Sequence, residues 1–177
     1  MKKRQVIATV LGLLVLIGLA ACQGEPAATG QRAVASMSGP DGVAIGTVIL
    51  TEGPNGVLIS ADVTGLSPGA HGFHIHETGA CTPDFSAAGG HFAPGGEGHG
   101  FQHEDGFHAG DLPNLQAGAD GIARADVFTD KITLAADADT SIFDADGSAI
   151  IIHAKPDSYG PDPGAGDRVA CGVIERS

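Results

Sequence analysis

The sequence contains no tryptophan, and only eight of its 177 residues are aromatic, seven phenylalanines and one tyrosine. Basic residues are also scarce: nine lysines and arginines face 21 aspartates and glutamates, for a formal charge of −12. Proteins that bind nucleic acid hold the phosphate backbone with clustered lysines and arginines. This charge balance therefore excludes nucleic acid as the main partner.

Long helices are not expected, because 28 glycines and ten prolines interrupt the sequence. No apolar stripe with helical spacing extends over more than a few turns. Hydrophobic residues still make up 42% of the chain, which is enough for a packed core and too many for a disordered protein. The composition favours one turn-rich β domain.

The one long apolar run covers residues 6–20 and follows three cations at positions 2–4. It is short for a membrane-spanning helix, which needs about 20 residues, although an uncleaved anchor is the alternative. The run ends in Leu-Ala-Ala-Cys at 19–22, which resembles a bacterial lipoprotein signal that is cut before the cysteine. We therefore expect residues 1–21 to be a signal peptide and Cys22 to carry lipid. The expected location is extracytoplasmic, lipid-anchored to a bacterial membrane on its periplasmic or cell-surface side.

Residues 22–40 are small, polar and aperiodic, which predicts a flexible tether before a domain over 41–177. Loss of residues 1–21 would leave 156 residues. Six basic and 21 acidic side chains would remain, for a formal charge of −15. The domain would then lie close to a membrane without entering it.

Alternation of apolar and polar residues predicts seven short strands separated by loops rich in glycine, proline and aspartate. They cover residues 43–52, 56–64, 70–77, 121–128, 131–134, 149–153 and 168–174. This pattern is typical of an antiparallel β-sandwich or barrel. Two connections, about 78–119 and 154–167, are long for hairpins, and loops of that length are usually functional or disordered.

Histidines are concentrated beside the first long loop, where seven of the eight lie between positions 71 and 108. A strand over 71–76 places the two apolar residues, 73 and 75, on one face and His74 and His76 on the other. Two imidazoles opposite an apolar face are suited to binding a metal. An exposed histidine pair on a sandwich surface is the alternative.

The loop continues with three histidines and an aspartate in the spacing H-x7-H-x8-H-x2-D, namely His91, His99, His108 and Asp111. Three imidazoles and a carboxylate form a closed tetrahedral set suited to structural Zn²⁺. A metal would also organise a glycine-rich loop that buries little apolar surface. Solvated histidines are the alternative.

His153, the eighth histidine, ends the predicted 149–153 strand. Together with His74, His76 and one loop histidine it would complete four nitrogen ligands, a set that favours Cu(II) over Mg²⁺ or Ca²⁺. Taken alone, a histidine at a strand end is more often buried or capping than a ligand.

Five segments within residues 42–174 resemble the copper/zinc superoxide dismutase family and follow the family order. They are GFHIHE (72–77), GGHFAPG around His91, HAGDLPNL (108–115), HAKPD (153–157) and RVACGVI (168–174). The combination of HAKPD with GDLP is more similar to the bacterial branch. The resemblance implies an all-β, eight-stranded antiparallel Greek-key barrel or sandwich with two long functional loops.

The resemblance also implies two metal ions per chain. One copper would be bound by His74, His76, His91 and His153, and one zinc by His91, His99, His108 and Asp111. His91 would then serve both metals as an imidazolate, which two adjacent dications make feasible. Asp157 corresponds to the family carboxylate that links a copper histidine, here His74, to a zinc histidine, here His99.

Further assignments rest on the same resemblance. Cys81 and Cys171 match the family disulfide, with two buried free thiols as the alternative, so that Cys22 remains as the third cysteine. His71 matches a histidine that bonds backbone, and His103 matches no ligand and is expected to be solvated.

The implied activity is the conversion of superoxide to O₂ and H₂O₂ by Cu(II)/Cu(I) cycling, which would protect the cell envelope. Arg168 matches the family arginine that holds a small anion, with a surface strand residue as the alternative, and His91 is expected to pass a proton to the product. A non-catalytic copper/zinc-binding protein is the rival interpretation, whereas the complete zinc set disfavours a copper-only variant. The expected partners are superoxide and, through lipidated Cys22, a membrane, with the chain a homodimer or a monomer.

Electrostatic steering of superoxide is expected to be weak. After Lys155, the loop over 154–167 contains three aspartates and no lysine, unlike family members that carry lysines there. We expect kcat/KM to fall by less than about threefold as the Debye length is shortened from about 30 to 10 Å with salt. Stopped-flow assays at increasing ionic strength measure this, and a steep decline would contradict it.

Overall fold

Eight antiparallel strands close into a barrel in the computed structural model, which describes residues 30–177. The strands are β1 (Arg32–Ser38), β2 (Ala44–Gly53), β3 (Gly56–Val63), β4 (Gly69–His76), β5 (Asp111–Ala117), β6 (Ala123–Thr129), β7 (Ala149–His153) and β8 (Arg168–Arg176). Their spatial order is β1-β2-β3-β6-β5-β4-β7-β8, and β1 pairs with β8 to close the barrel. The predicted eight-stranded antiparallel barrel is confirmed. The predicted signal peptide and Cys22 lie outside the described residues.

Helical structure in the described residues is limited to a 3₁₀ turn at Phe85–Ala88. Within residues 30–177, no helix combines the length and apolar character needed to cross a membrane.

Strand β1 corrects the predicted tether, because residues 32–38 belong to the barrel rather than to a flexible segment. Ala33, Ala35 and Met37 alternate into the core and are fully buried. Alanine and serine have weak β propensity, so the local sequence signal is faint. The segment is a strand because β2 and β8 pair with its two edges.

Strand β5 was hidden inside the first predicted long loop, which therefore ends at residue 110 rather than 119. Its sequence, DLPNLQA, contains proline and asparagine, which strands usually lack. Pro113 lies where the β4–β5 register is irregular, so no ladder partner requires an N–H there.

The predicted strand at 131–134 is wrong. Ile132 and Leu134 are buried in the core cluster, but the backbone N–H of Thr133 donates to Thr140 within the loop over 130–148. The alternation in this segment therefore reflects burial against the barrel and not pairing in the sheet.

The two faces of β4 and β7 separate the core from the histidines. Phe73 and Ile75 on β4, with Ile150 and Ile152 on β7, belong to the main core cluster. Because side chains alternate along a strand, His74, His76 and Ile151 lie on the opposite, outer face. The strand pattern thus places imidazoles on the outer wall of the barrel.

Loops cover this outer wall and exclude water from it. A second small cluster joins Ala88 of the first loop to Ala149, Ile151 and Cys171 of the sheet. A disulfide between Cys81 and Cys171 attaches the same loop to β8, with 5.9 Å between the two Cα atoms. The disulfide implied by the resemblance is therefore present in the fold.

The barrel is nearly open between β5 and β6. Ala117 and Ala123 form the only paired position between these two strands, whereas β3 pairs over its whole length with residues 46–53 of β2. The structure therefore consists of two four-stranded sheets, β1-β2-β3-β6 and β5-β4-β7-β8, joined firmly along β1–β8 and loosely along β5–β6.

Candidate metal centre

Two clusters of possible metal ligands lie side by side on the outer wall of the barrel. The first contains His74, His76, His91 and His153, and the second contains His91, His99, His108 and Asp111. Within each cluster the ligand atoms lie within 4.8 Å of one another. The structure therefore brings together both ligand sets implied by the resemblance, with His91 common to the two.

Backbone pairing places His91 next to the histidines of β4. The N–H of Phe92 donates to the carbonyl of Ile75 at 2.9 Å, and the N–H of Ile75 donates to the carbonyl of Gly110 at 2.9 Å. A Cβ atom on Gly110 would lie 2.2 Å from the Ile75 oxygen, so only glycine permits this approach. The loop thereby docks against the edge of β4.

The second cluster is tightly convergent. The Nδ1 atoms of His91, His99 and His108 lie 2.7, 3.1 and 3.2 Å from Oδ1 of Asp111. Four ligands at about 2.0–2.1 Å around tetrahedral Zn²⁺ would be separated by about 3.3 Å, so the set fits zinc. Because Nδ1 of His91 faces this second cluster, the other ring nitrogen, Nε2, is available as a ligand atom for the first cluster.

Three histidines of the first cluster are each oriented by a hydrogen bond from one ring nitrogen to an acceptor oxygen. His74 Nε2 donates to Oδ2 of Asp157 at 2.6 Å, and His76 Nδ1 donates to the carbonyl of Gly89 at 3.0 Å. His153 Nδ1 donates to the carbonyl of Gly166 at 3.1 Å. Since these acceptors cannot donate, each bonded nitrogen carries the proton and the opposite nitrogen keeps its lone pair.

Those opposite nitrogens have no hydrogen-bond partner within the described residues. They are Nδ1 of His74, Nε2 of His76 and Nε2 of His153, all buried. Unpartnered buried nitrogens are costly, and convergent lone pairs are what a metal requires. The donor set therefore fits copper, for which nitrogen ligands are favourable.

Burial keeps three histidines of the first cluster, His74, His76 and His153, unprotonated at neutral pH. It lowers the pKa of His74 to about 4, against the raising effect of the bond to Asp157. Burial also lowers the pKa of His76 to about 2, and the positive charge of Arg168 acts in the same direction. The pKa of His153 is lowered for the same reason, so the lone pairs are available without removal of a proton.

Asp157 joins the two clusters. Its carboxylate accepts from Nε2 of His74 at 2.6 Å and lies 3.0 Å from Nε2 of His99. Burial alone would raise the pKa of Asp157, but the bonds from His74, the Tyr159 N–H and His99 outweigh it and hold the pKa below its usual range. The residue is thus a permanent anion that orients one ring of each cluster.

Two residues that sequence reasoning missed hold Asp157 in place. The side chain of Asn114 donates to the carbonyl of Asp157 at 2.9 Å and accepts from its N–H at 2.8 Å. The hydroxyl of Tyr159 accepts from the Asn114 N–H at 2.8 Å. Asn114 lies within the HAGDLPNL segment and Tyr159 is the only tyrosine, but neither position is marked by a local pattern.

Arg168 lies beside the first cluster and is held by two backbone carbonyls. Its Nη1 donates to Phe85 at 2.5 Å and its Nη2 donates to Gly89 at 2.6 Å. The Gly89 carbonyl is the acceptor that also orients His76. The guanidinium is therefore partly buried and fixed, with N–H groups left for a small anion.

The two other histidines are outside the clusters. His71 is buried and bonds two backbone carbonyls, those of His153 at 2.7 Å and Ser67 at 2.8 Å. His103 is partly exposed, and its Nδ1 accepts from the N–H of Asp105 at 3.3 Å.

Residues 44–174 match the family model described as copper/zinc superoxide dismutase. The chain belongs to this family. A copper/zinc superoxide dismutase from Caulobacter vibrioides is 45% identical over 148 residues, which are 81% of this chain and 85% of that relative. The chain is therefore a metalloenzyme whose activity is superoxide dismutation and whose cofactors are copper and zinc.

Solved structures show the same architecture. A superoxide dismutase-like protein from Bacillus subtilis superposes with a TM-score of 0.75 and 38% identity, covering 82% of this chain and 99% of that one. The copper/zinc superoxide dismutase from Brucella abortus gives a TM-score of 0.68 with 34% identity, covering 82% and 100%.

Substitution of Asp157 by asparagine should weaken metal binding by about 10- to 100-fold, because the amide offers one acceptor oxygen where the carboxylate offers two. The amide NH₂ would face a ring N–H of His74 or His99. Chelator competition for zinc and copper measures the loss. Asp167→Asn, an exposed aspartate at the end of the same loop, is the matched control, and equal affinities in the two variants would contradict the prediction.

Proposed function

We propose that copper binds in the first cluster, on His74, His76, His91 and His153, and zinc in the second, on His91, His99, His108 and Asp111. The observation that carries this proposal is that the buried Nδ1 of His74, Nε2 of His76 and Nε2 of His153 have no hydrogen-bond partner among residues 30–177. Burial of three lone pairs is unfavourable unless a metal ion accepts them.

Copper bound there would supply one-electron chemistry, taking an electron from one superoxide and giving it to another, so that two superoxide ions and two protons become O₂ and H₂O₂. The protein supplies the rest. Arg168 would hold the incoming anion, because its guanidinium is already oriented by the carbonyls of Phe85 and Gly89. A fixed cation requires no reorganisation when the anion arrives.

His91 is the proposed proton carrier of the site. Its Nδ1 faces the carboxylate of Asp111, whose pKa is about 2 because bonds from His91 and from the Gly100 N–H overcome the raising effect of burial. Nε2 of His91 is then the atom at which a proton is held and passed to the product. Zinc has no redox chemistry, so the second cluster would fix geometry and charge.

Replacement of His74 by alanine should remove one copper ligand and the bond to Asp157. We expect loss of copper from the protein and a fall in dismutase activity of at least about 100-fold. Elemental analysis after copper loading and a superoxide assay measure both quantities. His103→Ala is the matched control, because His103 belongs to neither cluster. Unchanged activity in His74→Ala, or a wild-type protein that keeps zinc alone after copper loading, would contradict the assignment.

We also propose that the enzyme acts outside the cytoplasm, tethered by lipid on Cys22, where it would protect the cell envelope. The sequence at 19–22 supports this, as does a disulfide between Cys81 and Cys171, a bond that persists in oxidising compartments. With β1 beginning at Arg32, a tether from Cys22 would be about half as long as the sequence indicates.

Intact-mass measurement of the protein expressed in a bacterium tests the tether. We expect the wild type to lack residues 1–21 and to carry added lipid mass, and Cys22→Ser to keep residues 1–21 without lipid. Both proteins should fold and bind copper, because position 22 precedes the barrel. Full-length, unlipidated wild type would instead support an uncleaved membrane anchor.

A further inference from the structure

The peptide group between Gly89 and Gly90 lies between Arg168, His76 and a third residue that has no assigned role, Glu77. The carbonyl of Gly89 accepts from Nη2 of Arg168 at 2.6 Å and from Nδ1 of His76 at 3.0 Å. On the other side of the same peptide group, the N–H of Gly90 donates to Oε1 of Glu77 at 2.8 Å. We propose that Glu77 is a positioning residue that sets the orientation of Arg168 and His76 through this peptide group.

Planarity of the peptide bond couples the two sides. The carbonyl oxygen and the amide hydrogen of one peptide group lie in a plane and point in opposite directions. A rotation that turned the Gly90 N–H away from Glu77 would also turn the Gly89 carbonyl away from Arg168 and His76. The carboxylate therefore fixes the direction of an acceptor that it does not itself touch.

The backbone at Gly89 requires an external restraint. Its dihedral angles, φ 73° and ψ −150°, fall in a region that is available essentially to glycine alone. A Cβ atom at this position would lie 2.7 Å from Oε1 of Glu77, so the carboxylate packs directly against the glycine. Because glycine also adopts many other backbone conformations, contacts with its neighbours decide which one it keeps.

Glu77 is well suited to supply that restraint. Glu77 follows His76 directly, and its own N–H donates to the carbonyl of Gly90 at 3.0 Å. The backbone and the side chain of Glu77 therefore each form one hydrogen bond with Gly90. The Gly90 N–H needs only an acceptor oxygen here, which a carboxylate or an amide can supply. The hydrogen bond also polarises the peptide group, which makes the Gly89 carbonyl a better acceptor.

The second anchor of Arg168 does not replace this one. Nη1 of Arg168 donates to the carbonyl of Phe85, which belongs to the 3₁₀ turn. The Phe85 anchor fixes one edge of the guanidinium, and the Gly89 anchor fixes its rotation relative to His76. Loss of the Glu77 contact should therefore misdirect the anion-holding N–H groups without removing the arginine.

The inference rests on the proposed roles of Arg168 and His76, and azide, a small anion, is the probe. We expect Glu77→Ala to raise the azide dissociation constant of the copper- and zinc-loaded protein by about three- to tenfold, the effect of one lost hydrogen bond. Glu77→Gln keeps an acceptor oxygen without the charge and should stay within about twofold of wild type. Optical titration at high ionic strength, where long-range charge effects are screened, measures both.

A second readout needs no copper. Hydrogen exchange of the Gly90 amide in the zinc-only protein should be faster in Glu77→Ala and close to wild type in Glu77→Gln. Glu104→Ala, at an exposed glutamate of the loop between β4 and β5, is the control for loss of charge. Metal content should be equal in all four proteins.

The outcomes distinguish failure of the proposed function from failure of the positioning role of Glu77. Wild-type protein that binds no azide after copper loading would overturn the proposed function itself. Wild-type protein that binds azide, with Glu77→Ala equal to it in affinity and exchange, would overturn the positioning role alone. Glu77→Gln as impaired as Glu77→Ala would show that charge, and not the orientation of the peptide group, is responsible, which also overturns the proposal.

Discussion

The candidate metal centre depends on which nitrogen of each buried imidazole ring carries the proton. Each of His74, His76 and His153 has one nitrogen bonded to an acceptor, and this bond determines that the other nitrogen presents a lone pair. The three acceptors come from two loops: the Gly89 carbonyl from the loop between β4 and β5, and the Asp157 carboxylate and Gly166 carbonyl from the loop between β7 and β8. Both loops must therefore be in place before all three rings are correctly oriented, and a disulfide and backbone hydrogen bonds attach these loops to the barrel.

The residues of the two candidate metal-binding clusters could be picked out from the sequence more completely than the strands of the barrel. Spacing and strand alternation indicated the histidine clusters, and the family resemblance assigned the individual positions, because chemistry restricts a ligand to a few residue types. Strands β1 and β5 were missed, since alanines, a proline and an asparagine form strands there only through their neighbours. The segment at 131–134 shows the opposite error, in which real alternation of burial occurs without pairing.

Residues that act on the ligands could not be found in this way. Asn114 and Glu77 both lie inside segments that resemble the family, yet their partners are 43 and 13 residues away. Their roles depend on backbone atoms, Asp157 N–H and carbonyl in one case and the Gly90 N–H in the other. Every residue except proline has both atoms, so the sequence carries no signal for such a contact. Only the fold reveals which backbone group a polar side chain meets.

The two sheets of the barrel, which share one paired position between β5 and β6, differ in the residues they contribute to the candidate metal centre. The strand ligands and Arg168 all come from one sheet, on β4, β5, β7 and β8. The opposite sheet, β1-β2-β3-β6, supplies none of them and contributes only apolar side chains to the interior. Substitutions in the interior of the β1-β2-β3-β6 sheet are therefore limited by core packing, whereas those in the other sheet are also limited by the candidate metal-binding clusters. A new binding surface could therefore be engineered on the outer face of the β1-β2-β3-β6 sheet without changing any residue of the candidate metal centre.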